Sequence, residues 1–383
     1  LRACVHCGFC NATCPTYQLL GDELDGPRGR IYLIKSLLEG ADVTHKTQTH
    51  LDRCLTCRAC ETTCPSGVQY GRLLDLSRPL LEAEVKRPPR ERLLRWLIRT
   101  FIPHRRRFGA LLGLARWLRP FLPGGLHRSL PPRVAAASWP APRHAREMLM
   151  LDGCVQPALK PDINAAAARV LDKLGISIQR EDFAGCCGAL SYHLGAHQEA
   201  FRFMRRNIDA WWPHIERGAE AIIVTASGCA PLVKDYGRLL RDDPAYADKA
   251  ARISAIAKDI SEVLSGQDLS ALKPASPPGK IAFHSPCSLQ HGLKITNVVE
   301  NLLNKLGFEL TPAPDGHLCC GAAGAYPIVQ KELSQRLLTG KLRALQSGGP
   351  ACIATANIGC LVHMQSASNT PVKHWIELLD SSP

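Results

Sequence analysis

From residue 146 onward the chain alternates between two rhythms. Short apolar runs close on turn residues, as in EMLMLDGC (147–154), AIIVTASGC (221–229), KIAFHSPC (280–287) and CIATANIGC (352–360). These read as strands that end in a cysteine. Between them, AAAARVLDKLG, HQEAFRFMRRNIDAWWPHIERG, VVENLLNKLG and QKELSQRLLTGKLRALQSGG carry apolar residues three and four apart and read as helices, each closed by glycine. ISIQRED and FELTPAP read as further strands that run into Cys-Cys-Gly turns. The order is β-α-β-α-β, twice, which predicts two parallel sheets with right-handed crossovers.

The earlier part of the chain has a helical rhythm. Ile31, Ile34, Leu37 and Leu38 share a face, with Pro27 near the start and Gly40 near the end. Two more helical patterns follow. One places Leu93, Leu94, Leu97, Ile98 and Phe101 together, the other Phe108, Leu111, Leu112, Leu118, Phe121 and Leu122, with Trp96 and Trp117 near the boundaries.

Charge changes the reading of that last stretch. Residues 86–133 hold thirteen Lys or Arg (Lys86, Arg87, Arg90, Arg92, Arg95, Arg99, Arg105, Arg106, Arg107, Arg116, Arg119, Arg128 and Arg133) against Glu91 alone, while the whole 383-residue chain is only +13. Basic amphipathic helices with boundary tryptophans predict contact with an anionic membrane surface, or packing on this protein's own domains or a partner. No nucleic-acid fold accompanies the charge, so nucleic acid is not expected as a partner. No apolar run reaches the roughly 18–20 residues of a membrane-spanning helix, and no secretory signal is visible. The chain starts at Leu1 and not at Met, so residues before Leu1 are expected.

Seventeen cysteines in a chain that is 45% hydrophobic do not fit a small disulfide scaffold. They fall into sets. Cys4, Cys7, Cys10 and Cys14 precede Pro15, and Cys54, Cys57, Cys60 and Cys64 precede Pro65: C-x2-C-x2-C-x3-C-P, twice. Three thiolates two residues apart wrap one face of a cubane, and the fourth reaches the other cluster. The expected ligand sets are Cys4, Cys7, Cys10 and Cys64 for one [4Fe–4S] cluster, and Cys54, Cys57, Cys60 and Cys14 for the other. Paired zinc knuckles fit this spacing poorly.

The second half repeats its own set. Cys154, Cys186, Cys187 and Cys229 are followed by Cys287, Cys319, Cys320 and Cys360, and in both copies 31 residues separate the first cysteine from the pair. All eight fall after strand ends, where parallel α/β sheets bind ligands. Each set of four is expected to hold one iron–sulfur cluster. Four sulfurs also suit zinc, so zinc stays open at one of the two sites. Cys352 stands outside the pattern as a buried thiol. His284, His291, His317 and His363 lie near the second set and are expected as hydrogen-bonding neighbours. No acid–base pair, activated nucleophile or nucleotide-binding glycine loop is visible, so no catalytic residue is expected on this chain.

Together, the paired C-x2-C-x2-C-x3-CP motifs and the two Cys-Cys-Gly modules resemble the iron–sulfur subunits related to heterodisulfide reductase. Within that group, LDGPRGRIYLIK, RCLTCRACETTCPSGVQYG, RRNIDAWWP, HLCCGAAG, TANIGC and VKHWIELL resemble the iron–sulfur subunits of bacterial glycolate oxidases (glycolate dehydrogenases). The resemblance implies two flavin-binding partner subunits, FAD on them, and glycolate oxidised there to glyoxylate. Electrons would pass through this chain toward membrane quinone, with the complex cytoplasmic and peripheral on the inner face of the membrane. Equivalent subunits serve lactate or glycerol-3-phosphate dehydrogenases, and a zinc-holding structural subunit is the non-redox alternative. One departure stands out: heterodisulfide reductase modules end in C-x-x-C, whereas ASGCAPL and NIGCLVH keep a single cysteine, which speaks against five-cysteine clusters.

The expected architecture is therefore α+β and multidomain. A two-cluster ferredoxin-like, helical module spans 1–85 and a basic amphipathic connector 86–145. Two tandem Rossmann-like Cys-Cys-Gly domains follow at 146–275 and 276–383.

Overall fold

The computed structural model describes residues 1–121, 138–274 and 279–380. Leu122, Arg128, Arg133 and the expected boundary at 275/276 lie outside the described residues.

The first 85 residues are helical. Helix α1 (Pro27–Leu38) starts on a proline at its first turn and packs against α2 (Tyr70–Glu84). Ile31 and Ile34 of the first and Leu74 and Leu81 of the second share a buried cluster with Leu51 of the helix His45–Asp52, all 5% exposed or less. Burying each such side chain stabilises by about 1.5–3 kcal/mol. Asp25, completely buried, is held by two arginines, Arg30 at 3.5 Å and Arg53 at 2.7 Å, and by the His50 ring at 3.0 Å.

Helices α3 (Pro89–Phe101) and α4 (Arg105–Trp117) form the connector. Part of its charge is spent internally. Arg87 reaches Asp52 and Glu82, Arg95 reaches Asp52, and Arg105 reaches Asp152. The expected common face of the first helix is split by this anchoring. Ile98 turns inward with Arg87 and Arg95, while Leu93, Trp96 and Leu97 remain exposed. On the second helix Leu112 is buried, whereas Leu111, Leu114 and Trp117 face solvent, as does Phe121 beyond its end. Among the described residues, no helix is long and apolar enough to cross a membrane.

Each Cys-Cys-Gly module builds a four-stranded, all-parallel sheet. The first has the order β2-β1-β3-β4, from β1 (Arg146–Met150), β2 (Ile176–Gln179), β3 (Ile222–Val224) and β4 (Ala257–Asp259). The second has the order β6-β5-β7-β8, from β5 (Ile281–His284), β6 (Leu310–Thr311), β7 (Cys352–Thr355) and β8 (Val372–His374). Helices α5 (Asp162–Lys173), α6 (His197–Glu216), α7 (Val298–Lys305) and α8 (Lys331–Gln346) make the crossovers. Covered on both faces, the central strands read as continuous apolar runs. Each sheet has one strand beyond the three expected. The extra strands, AKD and VKH, are three residues long with an exposed lysine in the middle.

The two sheets share a core. Met148, Ile163 and Ile223 of the first belong to the same buried cluster as Ile281, Phe283 and Ile353 of the second. His374, fully buried, joins its Nε2 to the Thr225 carbonyl at 2.9 Å across the seam.

Candidate metal centres

In the N-terminal module the two cysteine motifs bend alike. His6 and Gly8 after Cys4 have positive φ, as do Thr56 and Arg58 after Cys54. This left-handed backbone curls each loop so that successive thiols face one point, and a non-glycine residue held there costs about 1–2 kcal/mol. One cavity is lined by Cys4, Cys7, Cys10 and Cys64, with Cys60 also at its wall. A second is lined by Cys14, Cys54, Cys57 and Cys60. The chain thus sends the fourth cysteine of each motif to the other's cavity. Pro15, at the first turn of the helix Pro15–Leu20, fixes the direction in which the chain leaves Cys14.

Donors surround these sulfurs. The Thr56 N–H points at Cys54 Sγ at 3.4 Å and the Val68 N–H at Cys64 Sγ at 3.5 Å. Arg30, 1% exposed, places Nη1 4.0 Å from Cys14 Sγ and donates to Thr16 Oγ1 at 3.0 Å. Burial pushes the Cys10 thiol up to about 11 and those of Cys57 and Cys60 well above their usual range. Dry, crowded thiols of this kind ionise together when a metal takes their place as counter-charge.

The two Cys-Cys-Gly sites repeat one another. Cys154 follows β1, the pair Cys186–Cys187 follows β2, and Cys229 follows β3 at the head of the helix Ala230–Lys234. Likewise Cys287 follows β5, Cys319–Cys320 follow β6, and Cys360 lies in the helix Ile358–Gln365 after β7. Cys287 and Cys319 bring their sulfurs to 3.7 Å. The facing thiol, and then burial, raise the pKa of Cys154 against Cys186 and of Cys287 against Cys319. The Gly188 and Gly321 N–H groups donate to Cys186 Sγ and Cys319 Sγ, each at 3.4 Å. Both glycines have φ near +90°, and a Cβ there would strike the following helix, at the Ala200 carbonyl (3.0 Å) or the Ser334 carbonyl (2.7 Å). The missing side chain makes room for helix packing as well as for the turn.

The nearby histidines divide. His291 bonds Thr62 Oγ1 and the His317 carbonyl, both at 3.0 Å, and His363 bonds Ser334 Oγ at 3.1 Å. The ring of His284 is 1% exposed, and neither nitrogen has a hydrogen-bond partner among the described residues. A ring nitrogen of His284, Cys320 Sγ and Cys360 Sγ lie within 4.8 Å of one another. Burial, with Lys341 nearby, keeps the His284 pKa well below that of a free imidazole. Cys352 is 2% exposed inside β7, its thiol on the Ile353 carbonyl at 3.5 Å.

The N-terminal module joins the second site directly. Leu55, Cys319, Tyr326, Leu333 and Leu337 form one small apolar cluster with Cys57 and Cys287 at its edge. Tyr326 donates to the Arg53 carbonyl at 2.9 Å, and Arg336 to the Leu19 carbonyl at 2.8 Å. Toward the first Cys-Cys-Gly domain the contacts are polar: His193 to Asp75 at 2.9 Å and Arg58 to Asp235 at 4.0 Å. Asn357 ties the two Cys-Cys-Gly sites together. Its Oδ1 accepts from the Gly228 N–H (3.3 Å), next to Cys229, and its Nδ2 donates to Cys360 Sγ (3.4 Å). The repeat does not announce Asn357, because the matching residue of the first copy is Ala226. Arg30 carried no signal beyond its helix.

Comparison with known proteins agrees with this layout. Residues 1–68 match the family of the 4Fe-4S dicluster domain, and residues 148–233 and 281–365 match the Cysteine-rich domain. The chain is 56% identical over its whole length to the glycolate oxidase iron-sulfur subunit of Escherichia coli (strain K12), covering 94% of that protein. It is 31% identical over 95% of its length to the probable glycolate oxidase iron-sulfur subunit of Bacillus subtilis (strain 168), covering 88% of it. Against the lactate utilization protein A of Bacillus licheniformis the identity is 26% over 60% of the chain, covering 96% of that protein.

Proposed function

We infer the function from a firm premise: this chain belongs to the family of glycolate oxidase iron–sulfur subunits. It is the electron-transfer component of an oxidoreductase. We propose that Cys4, Cys7, Cys10 and Cys64 hold one [4Fe–4S] cluster and Cys54, Cys57, Cys60 and Cys14 the other. Cys154, Cys186, Cys187 and Cys229, and Cys287, Cys319, Cys320 and Cys360, would each hold a further iron–sulfur group on a Rossmann-like sheet. Such groups take up and release single electrons.

What the chain's own residues do is hold, shield and tune. The observation that carries the reading is the apolar cluster at Cys57, Cys287 and Cys319. It places ligands of two different sites against one dry patch, so an electron can cross between them without meeting water. The N–H groups of Thr56, Val68, Gly188 and Gly321 draw charge from sulfur and favour the reduced state. Arg30, a buried cation beside Cys14, acts in the same direction.

Glycolate oxidation itself belongs to FAD-bearing partners, which we take to be two flavin subunits, and quinone is the proposed acceptor. Trp96, Trp117 and Phe121, exposed within arginine-rich sequence, support a peripheral station on the inner face of the cytoplasmic membrane. For the units themselves we propose 1–85, 86–145, 146–275 and 276–383.

Iron and acid-labile sulfide analysis of the chain purified without oxygen, with EPR during reductive titration, tests the assignment. About eight irons from residues 1–85 alone, plus those of the later sites, are expected. A colourless chain without sulfide, or one loaded with zinc only, overturns electron transfer.

A further inference from the structure

The two Cys-Cys-Gly domains differ at one equivalent position beside their cysteines. Leu149 pairs with Ile222 in the first sheet and Ala282 with Ile353 in the second. With Ile222 and Ile353 equivalent, 131 apart as Cys229 and Cys360 are, residues 133 apart in β1 and β5 are equivalent, as Cys154 and Cys287 are, and His284 takes the place of Leu151. Leu151 is 3% exposed and packs in an apolar cluster with Cys187. The fold alone is thus content with leucine at this place.

An imidazole buried without partners costs stability for each stranded group. Native interiors seldom carry that cost without a use for it. His291 and His363, close by, do find partners, so polar groups in this region can be satisfied. His284 instead has both ring nitrogens unpartnered and one of them within 4.8 Å of two thiols, Cys320 and Cys360. Those thiols belong to the set already read as metal-binding.

We propose that His284 is a nitrogen ligand to the iron–sulfur group held by Cys287, Cys319, Cys320 and Cys360. The second site is then a mixed sulfur–nitrogen site, and the first, with Leu151 in register, is ligated by sulfur alone. The inference rests on the reading of these cysteines as cluster ligands. A neutral imidazole brings no negative charge to the group, so with His284 as the additional ligand the second site is easier to reduce than it would be with a thiolate at that position. Because Cys287 and Cys319 border Cys57, this mixed-ligand station lies next to the N-terminal clusters.

The test uses the full chain, purified without oxygen, labelled with 15N-histidine and reduced for pulsed EPR. The expected result is a strongly coupled nitrogen whose pattern changes with the label and disappears in His284→Leu, with the N-terminal signals unaltered. His284→Leu installs the residue that the first domain carries. His284→Cys is expected to retain iron, lose the nitrogen coupling and titrate at a lower midpoint potential than wild type. Should His284→Leu fail to fold, the labelled wild type and His284→Cys still decide. If the site takes up zinc, X-ray absorption at the zinc edge showing nitrogen beside sulfur supports the ligand role, and sulfur alone overturns it. Iron at the second site with no coupling dependent on residue 284 overturns this inference and leaves the electron-transfer reading standing. A chain lacking iron, sulfide and zinc overturns both.

Discussion

In the first Cys-Cys-Gly domain the cysteine pair is fastened from within by uncharged groups. Tyr236 donates to the Cys187 carbonyl at 2.8 Å, and Asn207 donates to the Cys186 carbonyl at 2.9 Å while accepting from the Gly185 N–H at 2.9 Å. In the second domain Ser334 donates to the Gly321 carbonyl, and Lys341, 5% exposed, reaches the carbonyls of Asp315 and Gly316. The first domain meets the N-terminal module through polar contacts, the second through hydrogen bonds and an apolar cluster that includes cysteines of both. One backbone plan, duplicated, thus serves two duties. A site closed on itself is secured for stability, and a site that faces a neighbouring centre has its surroundings shaped by that neighbour.

The sharpest way to break this comparison is to empty one site at a time. Cys320→Ser is expected to remove the second group and, with it, the magnetic interaction between that group and the cluster at Cys57. Cys187→Ser is expected to leave that interaction whole. Low-temperature EPR of the fully reduced chain reads both, and equal effects would refute the asymmetry.

Next in size is the seam at His374. Burial lowers its pKa to about 4, with the bonds it makes to backbone acting the other way. The folded protein therefore requires the neutral ring. Its contribution is complete above the unfolded pKa near 6.5 and is lost as pH falls from there toward 4, by up to about 1.4 kcal/mol per pH unit. Protection factors of the amides in β7 and β8, taken relative to intrinsic exchange at each pH, should fall between pH 7 and 5.5 in the wild type and less so in His374→Gln.

Asn207→Ala should destabilise the first domain by about 1–3 kcal/mol, because it strands the Gly185 N–H and the Cys186 carbonyl in a dry interior. Denaturant unfolding followed by tryptophan fluorescence measures this. Ser334→Ala is the matching change in the second domain. The smallest expected effect is that of Asn357→Ala, which removes one N–H···S contact to Cys360. About 1 kcal/mol of preference for the reduced state should go with it, seen as a slightly lower midpoint potential of the second site only.

Much of this arrangement could be read from spacing. The cysteine intervals, the 133-residue repeat and the apolar rhythm of α1 and of the crossover helices depend on local chemistry, which sequence records directly. The fourth strands could not be read, since AKD and VKH are too short to show a period and owe their conformation to the neighbours they pair with. The connector's orientation was hidden because Asp52, far back in the chain, selects which arginines turn inward. The isolation of His284 was equally hidden: a histidine at a strand end resembles any other until the partners around it are counted.

The exchange of Cys14 and Cys64 between the two N-terminal cavities has a consequence for biogenesis. Neither cavity is complete until the segment carrying the other has been synthesised and folded against it, so a nascent chain halted between the two motifs owns four of the eight thiols and no finished cage. Cofactor insertion into this module should therefore wait until both motifs have been made. A single lesion at either crossing cysteine takes one thiol from the cavity it enters and leaves the four of the other cavity in place, a half-charged module open to side reactions with oxygen.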